Sequence, residues 1–203
     1  MNIKAPVYTL LFSVVAATGC SKRVLVPPQL DLHPYPAVGL VTFTMDNSKG
    51  DLEHLATDQF LAEIHNAQPG TPVVELGNYQ ALLEECGREK LDREALRTLA
   101  AEYGVATVFV GHMKASNISP RASLSGFPRV GATVSVQLTV RMLETEIGAT
   151  LWTNTAKATE SVGELGLSGS QIVFAAQDPK EAYGDLVRHL IANVTTDMYA
   201  TYR

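Results

Sequence analysis

The chain has 203 residues, of which 46% are hydrophobic and 18% charged, which suits one buried core and rules out a disordered chain. Its 16 basic and 21 acidic residues leave a formal charge of −5, which argues against nucleic acid or an anionic lipid surface as the main partner. Its 2 cysteines are too few for a disulfide scaffold.

Lys4 makes the N-terminus positive, Val7 to Ala17 is a short apolar run, and Ala17, Thr18 and Gly19 are small residues ahead of Cys20. That is the layout of a secretory signal. The run is too short for a membrane-spanning helix, which needs about 20 apolar residues. Leu10 to Ser21, LLFSVVAATGCS, resembles a bacterial lipobox. The resemblance implies cleavage before Cys20, diacylation of its thiol and a membrane anchor worth about 0.8 kcal/mol per buried methylene. In that family Ser21, rather than Asp, implies sorting to the outer membrane. An ordinary signal with a chance cysteine is the alternative. The expected organisation is a signal peptide over 1–19, an acylated Cys20 with a proline-rich tether over 20–36, and a single domain over 37–203. Loss of Lys4 with the signal would take the charge from −5 to −6. Cys86 would then be the remaining thiol, placed on an apolar helix edge as a buried small hydrophobe.

Pro27, Pro28, Pro34 and Pro36 keep residues 21–36 extended, at about 3.1 Å per residue where polyproline-like. Leu30 and Leu32 alternate with polar neighbours, so part of this tether either lies on the domain or stays free. Ala37 to Thr44, AVGLVTFT, reads as a buried first strand ending at Asp46, Asn47 and Ser48. Leu52, Leu55, Ala56, Phe60 and Ile64 then recur at helical spacing, with Ser48 and Asp51 offering a capping box. Pro72 to Leu76 is a second strand. Asn78 caps a short helix through Cys86; Asp92 caps another through Tyr103, with Leu91 and Leu96 as a staple and Gly104 as the stop. Val105 to Met113 has the continuous apolar character of a strand covered on both faces. From Val130 to Met142 the alternation is strict, with Ala132, Val134, Val136, Leu138, Val140 and Met142 on one face. A turn at Thr145 to Gly148 joins it in a hairpin to Ala149 to Glu160. Asp178-Pro179-Lys180-Glu181 starts a last helix whose stripe, Tyr183 to Met198, packs on the sheet. The order β-α-β-α-α-β-β-β-α predicts an α/β fold with a mixed five-stranded sheet packed with helices.

Two connections, Lys114 to Arg129 and Ser161 to Gln177, are longer than ordinary loops and rich in Ser and Gly. In a meander both leave the same end of the sheet, which predicts a shared, mobile surface. Arg121 and Arg129 bracket Phe127 there and suit an acidic partner. Ile172, Val173 and Phe174 form an apolar cluster that either meets a partner or tucks onto the core. Catalytic signals are wanting: the sequence has no phosphate-cradling glycine loop, no GxSxG and no HExxH. Glu84 and Glu85 are adjacent on a helix and point to different sides. His54 and His65 share a helix face about 16 Å apart, too far to hold one ion. The expectation is no enzymatic activity, no metal and no cofactor.

Several stretches are similar to the curli-secretion (CsgG-like) lipoproteins and to the N-terminal domain of the Tol translocation protein. They are Ala37 to Thr44, Val73-Val74-Glu75-Leu76, Leu82-Leu83-Glu84, Tyr103 to Gly111, and the hairpin Val140 to Glu144 with Ala149 to Thr153. The resemblance covers about Ala37 to Tyr202 and implies an envelope lipoprotein that forms rings for export or docks on an envelope enzyme. Curli-type channels insert strand hairpins into the outer membrane. Here Pro120, Pro128 and short apolar runs fall short of the roughly 9 to 11 alternating residues per strand of a barrel, so pore formation is not expected. Two readings follow. One is an oligomeric assembly or export component, lipid-anchored at the periplasmic face of the outer membrane. The other is a monomeric interaction module that regulates an envelope enzyme or complex.

Overall fold

The computed structural model describes residues 24–46, 48–122, 130–162, 165–168, 171–174 and 179–202. Before the first long helix come β1 Leu25–Val26, β2 Val38–Val41, β3 Thr44–Met45 and β4 Ser48–Gly50. Then follow α1 Leu52–Ala67, β5 Val73–Gly77, α2 Tyr79–Glu85 and α3 Arg93–Tyr103. Three long strands come next: β6 Thr107–Ala122, β7 Val130–Glu144 and β8 Thr150–Val162. The chain closes with β9 Leu165–Ser168, β10 Gln171–Phe174, α4 Pro179–Val194, a 3-10 turn Thr196–Met198, and β11 Thr201–Tyr202.

The main sheet has the order β5-β2-β6-β7-β8, parallel where helices cross over and antiparallel from β6 onward. It is the mixed, helix-packed α/β sheet that the element order implies. On one face Val134, Val136, Leu138, Val140 and Met142 of β7 are fully buried among α1 and α4 side chains such as Phe60, Ile64, Tyr183 and Leu190. On the other face α2 and α3 bring Leu82, Leu96 and Leu99 against Val41, Val108, Val110 and Leu143. That second layer covers the β2-β6 end and Leu143 of β7; among the described residues no helix lies on the rest of the outer face of β7 and β8, where Ser135 is nonetheless buried.

The run read as one first strand breaks at Thr42 and Phe43. The Thr42 amide donates to Gly77 O at 2.9 Å and the Phe43 amide to Thr57 Oγ1 at 2.9 Å, and pairing with β6 resumes in β3. The break turns Phe43 into the core, where Phe43, Phe60, Phe109 and Trp152 stack in series with centroids 5.2, 5.3 and 6.1 Å apart. Gly111 makes room for this: a Cβ there would lie 2.3 Å from the Phe43 ring.

Both long connections prove to be largely strand. β6 continues from Lys114 to Ala122 and pairs with β7 as far as Ala122 opposite Val130. The serines and Pro120 concealed this. Past Met113 no described strand lies on the outer side of β6, and an edge beside a bulge, here between Ser116 and Ser119, tolerates proline. β6 and β7, at 16 and 15 residues, thereby exceed the strand length that the sequence implied for this hairpin. In the second connection Ile172, Val173 and Phe174 lie in β10, between β4 and β9 in a small three-stranded sheet. That pairing also corrects the capping box: Ser48 belongs to β4, and Asp51 precedes α1 without a side-chain cap hydrogen bond. Asn78 and Asp92, by contrast, accept from the amides two and three residues on, as cap residues do. The last helix stops at Val194, where the Thr195 hydroxyl donates back to Ile191 O at 2.8 Å.

Part of the proline-rich segment lies on the domain. Leu32 is fully buried, its amide donates to Gln68 Oε1 at 2.6 Å, and Gln68 Nε2 donates to Leu30 O and, at 3.2 Å, to Met198 O. Beyond it β1 pairs with β11, Leu25 opposite Tyr202 and Val26 opposite Thr201.

Replacing Gly111 by alanine should force Phe43 out of the aromatic series and cost about 1–3 kcal/mol. Gly39→Ala should cost less, because its Cβ would meet chiefly the end of the Leu76 side chain, at 2.7 Å. Urea midpoints of the two variants check the order.

Candidate functional site

Outside the core, a set of polar and charged side chains lies on the face of β6, β7 and β8 opposite α1 and α4. Residues opposite one another in a sheet share a face, so the register defines four rows. Val110, Arg141 and Thr153 make the first; His112, Thr139 and Thr155 the second; Lys114, Gln137 and Lys157 the third; Ser116, Ser135 and Thr159 the fourth. Their neighbours along β7 are buried against the helices, which makes these the outward rows. Ser135 pairs with Thr159 at 2.7 Å and Thr139 with Thr155 at 3.1 Å, bracing β7 against β8.

The rows hold three permanent cations, Lys114, Arg141 and Lys157, all exposed, and no carboxylate. Among the described residues none of the three makes an ion pair. For a chain with a formal charge of −5 this is an uneven distribution. His112 stands among them with Nε2 3.1 Å from Asp46 Oδ2 and Nδ1 3.0 Å from Thr44 Oγ1, which ties β3 to β6.

Where α3 ends its cover, the face drops into a cleft of about 800 Å³ lined by Val41, Tyr79, Leu91, Arg93, Val110 and Arg141, among others. Its wall is held firmly. Asp92 caps α3 by accepting from the Glu94 and Ala95 amides at 3.1 and 3.0 Å, and Arg97 Nε donates to Glu146 O at 2.8 Å. Glu144 closes the β7–β8 turn by accepting from the Glu146 and Ile147 amides at 3.1 and 2.8 Å. Thr145 is buried and donates to Ala106 O at 2.9 Å, fixing the turn to the start of β6. The arrangement suits recognition of negative charge by a rigid, hydroxyl-rich surface with an apolar margin.

The sequence-derived candidates fall elsewhere. Cys20, Phe127 and Arg129 lie outside the described residues. Arg121 is in β6 opposite Gly131, and Ile172, Val173 and Phe174 are in β10 alongside Ser48 to Gly50, so the pairing assigns these two groups to different sheets. Lys114, Arg141 and Lys157 did not stand out in the sequence, because the polar half of the alternation reads as a solvated face. The signal that could have found them is the absence of Asp or Glu from the outward positions of β7 between Thr133 and Arg141.

Cys86 is half-buried, its thiol donating weakly to Ala95 O at 4.0 Å. Burial, then the charges of Glu102 and Glu85, push the thiol pKa up. Burial also raises Glu53, an effect partly offset by the Met45 amide.

No protein-family model matches the chain, and no curated protein matches it. Solved structures do. A PelC variant from Paraburkholderia phytofirmans, solved as a dodecamer, is 14% identical at a TM-score of 0.50, over 87% of this chain and 98% of that one. Lipoprotein GNA1162 from Neisseria meningitidis is 13% identical at a TM-score of 0.41, over 62% and 83%. The LpoB C-terminal domain from Escherichia coli is 16% identical at a TM-score of 0.37, over 64% and 88%. The likeness to PelC is one of fold. It extends over almost the whole of both chains, so the helix-backed mixed sheet is common to the two.

A thiol with a raised pKa is mostly protonated at neutral pH. Cys86 should therefore alkylate more slowly with iodoacetamide than a free cysteine, with a rate–pH midpoint above about 8.5. A midpoint below that value would mark it as an activated thiol.

Proposed function

We propose that the chain is a non-catalytic lipoprotein of the bacterial envelope, anchored through acylated Cys20 and acting as an oligomeric assembly or export component. The observation that carries this reading is the likeness of fold, over 87% of the chain, to a PelC chain solved as a dodecamer. The lipobox-like segment before Cys20 and the resemblance to curli-secretion lipoproteins support the envelope setting. They also favour the periplasmic face of the outer membrane. On this reading the partners are the membrane, through the lipid, and further copies of the chain; nucleic acid is not among them, and no cofactor or metal is involved. The exposed cations of the uncovered face also fit the second reading, a monomeric module that regulates an envelope enzyme or complex by binding an acidic partner.

The absolute mass of the native lipoprotein, measured by light scattering after detergent extraction, separates the two. A discrete mass of many subunits is expected, together with labelled palmitate that is lost in Cys20→Ala. A single subunit in detergent would contradict the oligomeric reading.

A further inference from the structure

We infer that the uncovered face of β6, β7 and β8 receives α1 of a second copy of the chain, an inference that rests on the oligomeric reading above. Charge gives the first reason. The face presents Lys114, Arg141 and Lys157, with the Asp46 carboxylate at its β3 edge against His112, whereas α1 carries Glu53, Asp58 and Glu63, is preceded by Asp51, and contains neither Lys nor Arg. Asp51 and Asp58 are exposed and seven residues apart, so they lie on one side of the helix. α4, beside α1, balances its charges: Lys180 and Arg188 against Glu181 and Asp185, with Arg188 paired to Asp185 at 2.7 Å. α1 is thus the acidic strip of the helical layer.

Shape gives the second reason. The 16 residues of α1 span about 24 Å at 1.5 Å each. The four rows span about 20 Å at roughly 3.4 Å per residue, and the three strands are about 10 Å across, close to the width of a helix with its side chains. The cleft beside α3 bounds one edge of the face, so an incoming helix would lie in a step with the cations beneath it.

Topology gives the third. The body of α1 packs on the opposite side of the sheet from the cationic rows, and in one copy Glu53 at its start comes near His112 while Asp58 faces away from Lys114, Arg141 and Lys157. A contact between the two surfaces is heterologous: it runs head to tail and closes into a ring where the rotation between copies permits.

The test is sedimentation velocity on the full-length lipoprotein in detergent. The wild type should form a multi-subunit species at about 50 mM salt that dissociates at about 500 mM, where screening shortens to a few ångströms. Arg141→Glu with Lys157→Glu should abolish that species, and so should Asp51→Lys with Asp58→Lys. All four substitutions in one chain should restore it. These positions are exposed, and circular-dichroism melts serve to confirm folding. A wild-type oligomer indifferent to salt and to both reversals would overturn this inference and leave the oligomeric reading standing. A wild-type monomer at low salt would overturn both. Dissociation by the sheet-face reversal without rescue in the fourfold variant would overturn the assignment to α1.

Discussion

β7 is held in register on both sides, by β6 and by β8, and the character of each face of the molecule depends on that register. A slip of one residue along either neighbour would break the match of apolar rows. A strand turned over would send Val134, Val136, Leu138, Val140 and Met142 to solvent, at a cost of about 1.5–3 kcal/mol for each large side chain. The same alternation sets Lys114, Arg141 and Lys157 on the opposite side. The apolar core and the cationic face are therefore two results of one pairing. Bracing comes from the outward hydroxyl pairs Ser135–Thr159 and Thr139–Thr155 and from Thr145, which locks the turn to the start of β6.

Around this sheet the two helical layers do different work. α1 and α4 cover one face along its length, and the Phe43–Phe60–Phe109–Trp152 series runs from the break in the first strand to β8. α2 and α3 cover the parallel end of the other face and Leu143, and among the described residues no helix covers the rest of its antiparallel end. Leu30 and Leu32 meet Met198 at a third point. Gln68, almost fully buried, bonds Leu30, Leu32 and Met198, while Trp152 Nε1 donates to Asp197 Oδ2 at 3.2 Å. Removing the Gln68 side chain would leave several backbone groups unpaired, at about 1–3 kcal/mol each.

Local chemistry made much of this legible in the sequence. Asn78 and Asp92 were readable as caps because a short polar side chain before an apolar-periodic run has few other uses. β7 was readable because its alternation is strict. The continuation of β6 through Ser116, Ser119 and Pro120 was not, because edge strands and bulges relax the rules that composition obeys. The pairing of β10 with β4, more than 120 residues earlier in the sequence, has no local signature at all. The cationic face was hidden for a related reason. Its members come from three strands, and only the register shows that Lys114, Arg141 and Lys157 share one face.

An assembly surface on the face of β6, β7 and β8 must be covered when the protein is in place. The most direct measurement is maleimide labelling of Thr155→Cys, exposed on the β8 side of that face, in intact envelopes of a Cys86→Ser background. Gln80→Cys on exposed α2 provides the comparison. If the face is an assembly surface, Thr155→Cys labels slowly in the native envelope and fully after unfolding, while Gln80→Cys labels quickly throughout. Equal, rapid labelling at both positions would contradict the account.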